Sequence, residues 1–280
     1  MSGPEQAPVT VVVATRNRRD RLLETIPRHE GPVILVDNGS DDGGPEAVEA
    51  AFPQVTVVRL GENRGAAARN VGVELARTPY VAFADDDSYW APGALGGAAA
   101  LLRDHPRVGL LSARVLVGQQ GRLDPVSAAM AAAPLGVPAG APGPAVLGFL
   151  ACAVTVRREA FRQVGGFNPQ LHVYGEEALL AMDLAAAGWL QAYAPQLVVR
   201  HLPLPAGRDN GARHRIEARN RVLTALLRRP PAVVARTTMA AWRDDRRGVA
   251  DAARLLPWAL RQRRPLPDTV ENDLRTLTSR

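Results

Sequence analysis

YVAFADDDSYW, residues 80 to 90, decides how the rest of the chain is read: an apolar run stops at three consecutive carboxylates, Asp85, Asp86 and Asp87. Adjacent carboxylates repel one another, so a fold that gathers them at a strand end commonly brings a divalent cation to them. A solvated acidic turn is the competing reading of the same triplet. The surrounding sequence has to decide between the two.

Upstream, VTVVVAT (Val9 to Thr15) is a β-branched run suited to a strand buried on both faces. The polar NRRDRLLETI behind it has helical spacing at Leu22, Leu23 and Ile26. PVILVDNGS repeats the arrangement, with a strand to Val36, a loop of Asp37, Asn38, Gly39 and Ser40, and a helix over PEAVEAAF. VTVVRL, GENRG and AAARNVGVELA supply a third strand, loop and helix, and YVAFA is the fourth strand. Strands alternating with helices predict an α/β fold with a doubly wound parallel sheet. In such sheets the ligand crevice lies beyond the carboxyl ends of the strands. Thr15, Asp37, Asn63 and the triplet all fall at those ends, which favours a site over an isolated acidic turn.

Residues 118 to 148 are rich in Gly, Pro and Ala and predict a long loop or flap over the crevice. VLGFLACAVTVRREAFRQVGGF then reads as strand and helix, stopped by Gly165 and Gly166. LHVYGEEALLAMDLAAAGW is a helix with Glu176 and Glu177 at its start, where the positive helix end alone could account for one of them. Asp183, six residues beyond Glu177, leaves that face of the helix and is expected to form a salt bridge. QAYAPQLVVRHL adds a strand ending near His201, and helices broken by prolines follow. The expected organisation is a disordered tail over 1–8, one α/β domain over 9–205 and an arginine-rich helical extension over 206–280.

Composition removes several chemistries. All 34 Lys+Arg residues are arginine. Schiff-base catalysis and the lysine-bearing phosphate loop are therefore excluded, and a phosphatase that relies on lysine is disfavoured. The single Cys152, within GFLACAVTV, can form no internal disulfide and reads as buried packing. No uninterrupted apolar run reaches the roughly 18 residues of a membrane span, and MSGPEQAP lacks the segments of a signal peptide, so an intracellular chain is expected.

Seven segments in order, VVVATRNR, VILVDNGSDD, GENRGAAARNVGVELA, YVAFADDD, VRREAFRQVGGFN, YGEEALLAMDLAAAGW and VVRHL, resemble the family 2 glycosyltransferases of the GT-A fold over residues 9 to 205. The resemblance implies a Rossmann-like, mostly parallel sheet flanked by helices. It also implies inverting, hexosyltransferase-type transfer of a sugar from a nucleotide-diphosphate donor, with Mn2+ or Mg2+ on the diphosphate. Thr15 and Asp37 match residues that contact the nucleotide, and Asn63 and Arg69 match residues lining that pocket. Asp85 and Asp87 match the outer members of the DXD motif, with Asp86 between them; the first faces the ribose or metal-bound water and the last binds the cation. Glu177 matches the catalytic base, although the segment reads GEE where an aspartate is usual, which keeps Glu176 as the alternative. His201 matches a residue that completes metal coordination in several members.

The acceptor implied is a glycan, a lipid-linked sugar or a small molecule, on a cytoplasmic enzyme serving the cell envelope. Two other readings stand beside it: a non-catalytic sugar-nucleotide binding module, and a phosphatase or nucleotidyltransferase on a related sheet. For the arginine-rich end there are three readings, namely a solvated helical surface, peripheral docking on anionic lipid at the inner membrane face, and an acidic partner. Trp242 and Trp258, flanked by arginines, suit a membrane interface. No nucleic-acid-binding module is recognisable, and nucleic acid is not an expected partner.

Overall fold

Alternate side chains of strand β1 (Val9–Thr15) are buried in opposite directions, with Val9, Val11 and Val13 in one apolar cluster and Val12 in another. A strand covered on both faces needs apolar residues at every position, which is why the run is continuous. The computed structural model describes residues 9–203 and 210–278; the expected tail over 1–8 lies outside the described residues. Eight further strands join β1: β2 (Val33–Asp37), β3 (Thr56–Arg59), β4 (Tyr80–Asp85), β5 (Ser88–Trp90), β6 (Val108–Val117), β7 (Arg122–Leu123), β8 (Val154–Arg157) and β9 (Leu190–His201).

The sheet runs β3-β2-β1-β4-β8-β6-β9-β5, with β7 paired to β6. Six of the eight strands on this path point one way; β8 lies antiparallel to β4 and β6, and β5 antiparallel to β9. The carboxyl ends of β1, β2 and β4 are held level by the pairs Thr15 with Asp37 and Ala14 with Asp85. Ser88 of β5 pairs with His201 of β9. The registry thereby carries His201, more than a hundred residues downstream, to the acidic turn.

One face of the sheet is covered by α1 (Arg19–Thr25), α2 (Gly44–Ala51) and α4 (Ala94–Asp104), which contribute Leu22, Val48, Leu95 and Leu102 to the core. The other is covered by α3 (Ala68–Leu75), α6 (Arg158–Gln163) and α7 (Glu176–Ala186), which contribute Val73, Phe161 and Leu180. Phe83, Phe161 and Phe167 pack there with ring centres 5.5 to 5.7 Å apart, Phe161 edge-on to the other two. Helix α3 approaches β1 so closely that a Cβ on Gly72 would meet Val12 Cγ1 at 2.4 Å.

Residues 118 to 148, expected as an irregular flap, contain β7 and a short helix, α5 (Pro125–Ala131). Asp124 starts that helix by accepting the Val126 N–H at 2.8 Å, and Pro125 supplies a first turn that needs no donor. Beyond β9 come α8 (Asn210–Arg228), α9 (Pro231–Asp244), α10 (Arg246–Arg254), α11 (Leu256–Arg261) and α12 (Asp268–Thr278). Val222, Leu223 and Leu227 of α8 form a third apolar cluster with Ala241, Ala252 and Ala259 of its neighbours and Leu179 of α7. Val270 and Leu274 of α12 pack on Met182 of α7. Asp183 makes the expected salt bridge, to Arg228 of α8. Cys152 is buried, and burial pushes its thiol up. Trp242 is exposed, whereas Trp258 packs against the third cluster. Among the described residues no helix is long and apolar enough to cross a membrane.

Candidate functional site

The turn between β4 and β5 sends its three carboxylates to three different partners. The Ser88 hydroxyl fixes the turn by accepting the Asp85 N–H at 2.8 Å, and Trp90 is buried behind it, its indole N–H donating to the Phe83 carbonyl at 3.0 Å. Asp85 forms an ion pair with the buried Arg69 at the start of α3. Asp86 accepts the Thr15 hydroxyl at 3.1 Å and lies 3.8 Å from Arg18. Burial, with repulsion from Asp85 and Asp87, pushes it up to about 7. Asp87 lies 3.3 Å from Nε2 of His201, and that hydrogen bond raises the imidazole above its ordinary value.

The neighbouring strand end is held by local hydrogen bonds. The buried Asp37 accepts the N–H of Gly39 at 3.2 Å, the N–H of Ser40 at 3.1 Å and the Ser40 hydroxyl. Asn63 is exposed and its side chain accepts the Gly65 N–H at 2.9 Å, shaping the loop that leads into α3. Asn38, buried between the two loops, accepts the Arg64 N–H at 3.0 Å and donates to the Gly65 carbonyl at 3.2 Å.

On the opposite side the crevice is closed by the start of α7. Gly175 enters that helix with φ 94°, preceded by His172 at φ 63° and Tyr174 at φ 66°. Such conformations persist in non-glycine residues only where the surroundings enforce them. Here the enforcing group is Asn220 of α8, whose amide donates to the carbonyls of Leu171, Val173 and Tyr174 at 2.8, 2.9 and 2.8 Å. His172 in turn presses on Gly65, at φ 59°, where a Cβ would meet the His172 carbonyl oxygen at 2.4 Å. Glu176 and Glu177 follow directly. Both are desolvated, and Glu176, further raised by the Glu177 charge, is pushed up to about 8. The two carboxyls act on each other, and Oε2 of Glu176 is buried with no hydrogen-bond partner. Arg69, paired with Asp85, also acts electrostatically on both glutamates, and Glu177 feels the charge of Asp85. Carboxylates about ninety residues apart in sequence thus come within electrostatic reach of one guanidinium. Glu177 also lines a cavity of about 390 Å³, while Glu176 is nearly fully buried.

Among the described residues no three acidic, histidine or cysteine side chains converge into a closed metal cage. Asp85, expected beside Asp87 at the ion, pairs with Arg69. Asp87 and His201 remain as an adjacent oxygen and nitrogen donor pair. That set is sparse, but it suits a hard cation that takes its other ligands from water and substrate phosphate.

Asn38, Ser88, His172 and Asn220 also shape the site and were not singled out in the sequence. An Asn following Asp at a strand end is a usable turn signal for Asn38. Nothing local marks Asn220, which lies about 45 residues beyond the loop it holds.

The Glycosyl transferase family 2 model matches residues 10–165. The N-acetylglucosaminyl-diphospho-decaprenol L-rhamnosyltransferase of Mycobacterium tuberculosis is 29% identical over 216 residues, covering 63% of this chain and 68% of the relative. The fold matches a mannosyltransferase from Pyrobaculum calidifontis in complex with GDP-Man and Mn2+, with a TM-score of 0.60 and 23% identity, covering 97% of this chain and 75% of the other. It also matches S. aureus TarS in complex with UDP-GlcNAc, with a TM-score of 0.57 and 17% identity, covering 97% and 90%.

Proposed function

Because the chain belongs to glycosyl transferase family 2 and is a glycosyltransferase of GT-A fold, we propose that it transfers a sugar, with inversion and divalent-metal dependence, from a UDP- or dTDP-linked donor to a hydroxyl of a glycan, lipid-linked or small-molecule acceptor. The observation that carries this reading is that Arg69, ion-paired with Asp85, lies within electrostatic reach of the Glu176–Glu177 pair.

Thr15, Asp37, Asn63 and Arg69 frame the nucleotide end, with Asp86 anchoring the acidic turn to β1. Asp87 and His201 would hold Mn2+ or Mg2+. A divalent cation bound there offsets the charge of the departing diphosphate without needing a proton. Glu177 accepts the proton of the acceptor hydroxyl as its oxygen bonds to the anomeric carbon. The bond from that carbon to the diphosphate oxygen breaks on the opposite face, and its electron pair leaves with the nucleotide. Glu176, raised by burial, retains its own proton and so adds no second negative charge beside that base.

Peripheral contact of this cytoplasmic enzyme with an anionic membrane has its support in α9. Met239 and Trp242 are exposed one turn apart there, beside the exposed Arg236 and Arg243. Apolar side chains rimmed by arginine suit a lipid headgroup boundary.

The test is isothermal titration with UDP, dTDP and GDP, in Mn2+ and in chelator, followed by turnover on a panel of the corresponding nucleotide sugars. Metal-dependent diphosphate binding with release of nucleotide diphosphate supports the reading. Metal-independent binding without turnover overturns it.

A further inference from the structure

The cavity that Glu177 lines is built from four parts of the chain: Val126 and Met130 of α5, Phe149 after the Gly/Pro-rich segment, the start of α7 with Glu177 itself, and Leu277 at the end of α12. Among the described residues lining it, Glu177 is the one that carries a charge, and no arginine contributes in a chain with 34 basic residues. Such a wall offers nothing to a phosphate or carboxylate, and the Glu177 charge repels both. It favours hydrocarbon, and its volume of about 390 Å³ falls within the size of small-molecule pockets. Whatever fills it lies against Glu177, the residue proposed to take the acceptor proton.

We infer that this cavity is the acceptor's aglycone subsite, and that the accepting hydroxyl is carried by a molecule with an uncharged, apolar portion close to it. This deepens the proposed transferase reading and rests on it. The apolar portion fills the space between α5 and the end of α12, leaving the hydroxyl at Glu177. Val126 is 41% exposed, so the cavity mouth is open and its rim can be changed without disturbing the core.

The probes are n-alkyl β-D-glucosides with chains of two to eight carbons, titrated against the full chain in Mn2+ and nucleotide diphosphate. The expected result is a Kd that falls about fourfold for each added methylene until the cavity is full, from the transfer free energy of a buried CH2. Val126→Asp and Leu277→Glu, each placing a charge at the rim, should abolish the chain-length dependence. Nucleotide diphosphate affinity, measured in both variants, establishes that they are folded. A Kd independent of chain length, or a dependence that survives both substitutions, overturns the assignment. Turnover of the nucleotide-sugar panel with water as acceptor is read in parallel: donor hydrolysis without chain-length dependence rejects this subsite alone, whereas the absence of any donor binding or turnover rejects the transferase reading beneath it.

Discussion

At the scale of single residues, Glu176 and Glu177 have neighbouring positions and different tasks. Glu177→Gln keeps the shape and removes the proposed proton acceptor, so turnover should fall by about 10²- to 10⁴-fold while metal-dependent nucleotide affinity is unchanged; steady-state kinetics beside titration reads both. Burial raises Glu177, so the wild-type rate should climb with pH through a limb above the ordinary carboxylate range and then level off. The same desolvation has a cost in stability. Glu176 titrates near 4.5 when unfolded and at about 8 when folded, so the folded state binds more protons between those values. Stability is therefore full below 4.5 and declines as pH rises toward 8. Glu176→Gln, which keeps the side-chain size and removes the titrating group, should remove that decline and be more stable than wild type at pH 8.5 by on the order of a few kcal/mol in urea unfolding.

At the scale of elements, the loop that delivers Glu177 is held from outside itself. Asn220→Leu strips the Val173 and Tyr174 carbonyls of their side-chain partner, which should cost about 2–4 kcal/mol in urea unfolding. It should also lower turnover more than nucleotide affinity, since Asp37 and Asn63 lie on other strand ends. That dependence shows which parts of the molecule were legible in the sequence. β1, β2 and β4 could be read because burial on both faces forces continuous apolar runs, and their ends located Thr15, Asp37 and the aspartate triplet. The salt-bridge role of Asp183 followed from helix geometry alone. Helix α5 was hidden within a Gly/Pro-rich segment, because its order comes from one cap at Asp124 and from packing on β6 and β9, which no window of seven residues encodes. The Asp85–Arg69 pair and the Thr15–Asp86 hydrogen bond were not readable, since they depend on how α3 sits and on sheet registry, whereas the resemblance had grouped Asp87 with His201.

At the scale of the whole molecule, the helices after β9 complete the site instead of trailing from it. Many of their arginines are neutralised within the fold: Arg215 by Asp251, Arg221 by Asp244, Arg228 by Asp183 and Arg229 by Glu271. The last pair is the most buried, with Glu271 3% exposed and a bidentate contact of 2.7 and 3.1 Å that ties the end of α8 to α12. The Arg229 guanidinium holds the Glu271 carboxyl below its usual range in spite of burial. Its contribution is accordingly present above the unfolded value of 4.5 and lost as pH falls below it. Glu271→Leu leaves Arg229 buried and uncompensated, and the expected loss is about 3–5 kcal/mol at pH 7. Arg229→Met combined with Glu271→Leu should recover most of it, because an apolar pair of similar volume needs no counter-charge. Since Leu277 is carried on the same helix, the single variant should weaken binding of long-chain alkyl glucosides as well, and the double variant should restore it. Urea unfolding of the two variants with the glucoside titration reads this coupling; unchanged chain-length dependence in Glu271→Leu would show that α12 keeps its place without the ion pair.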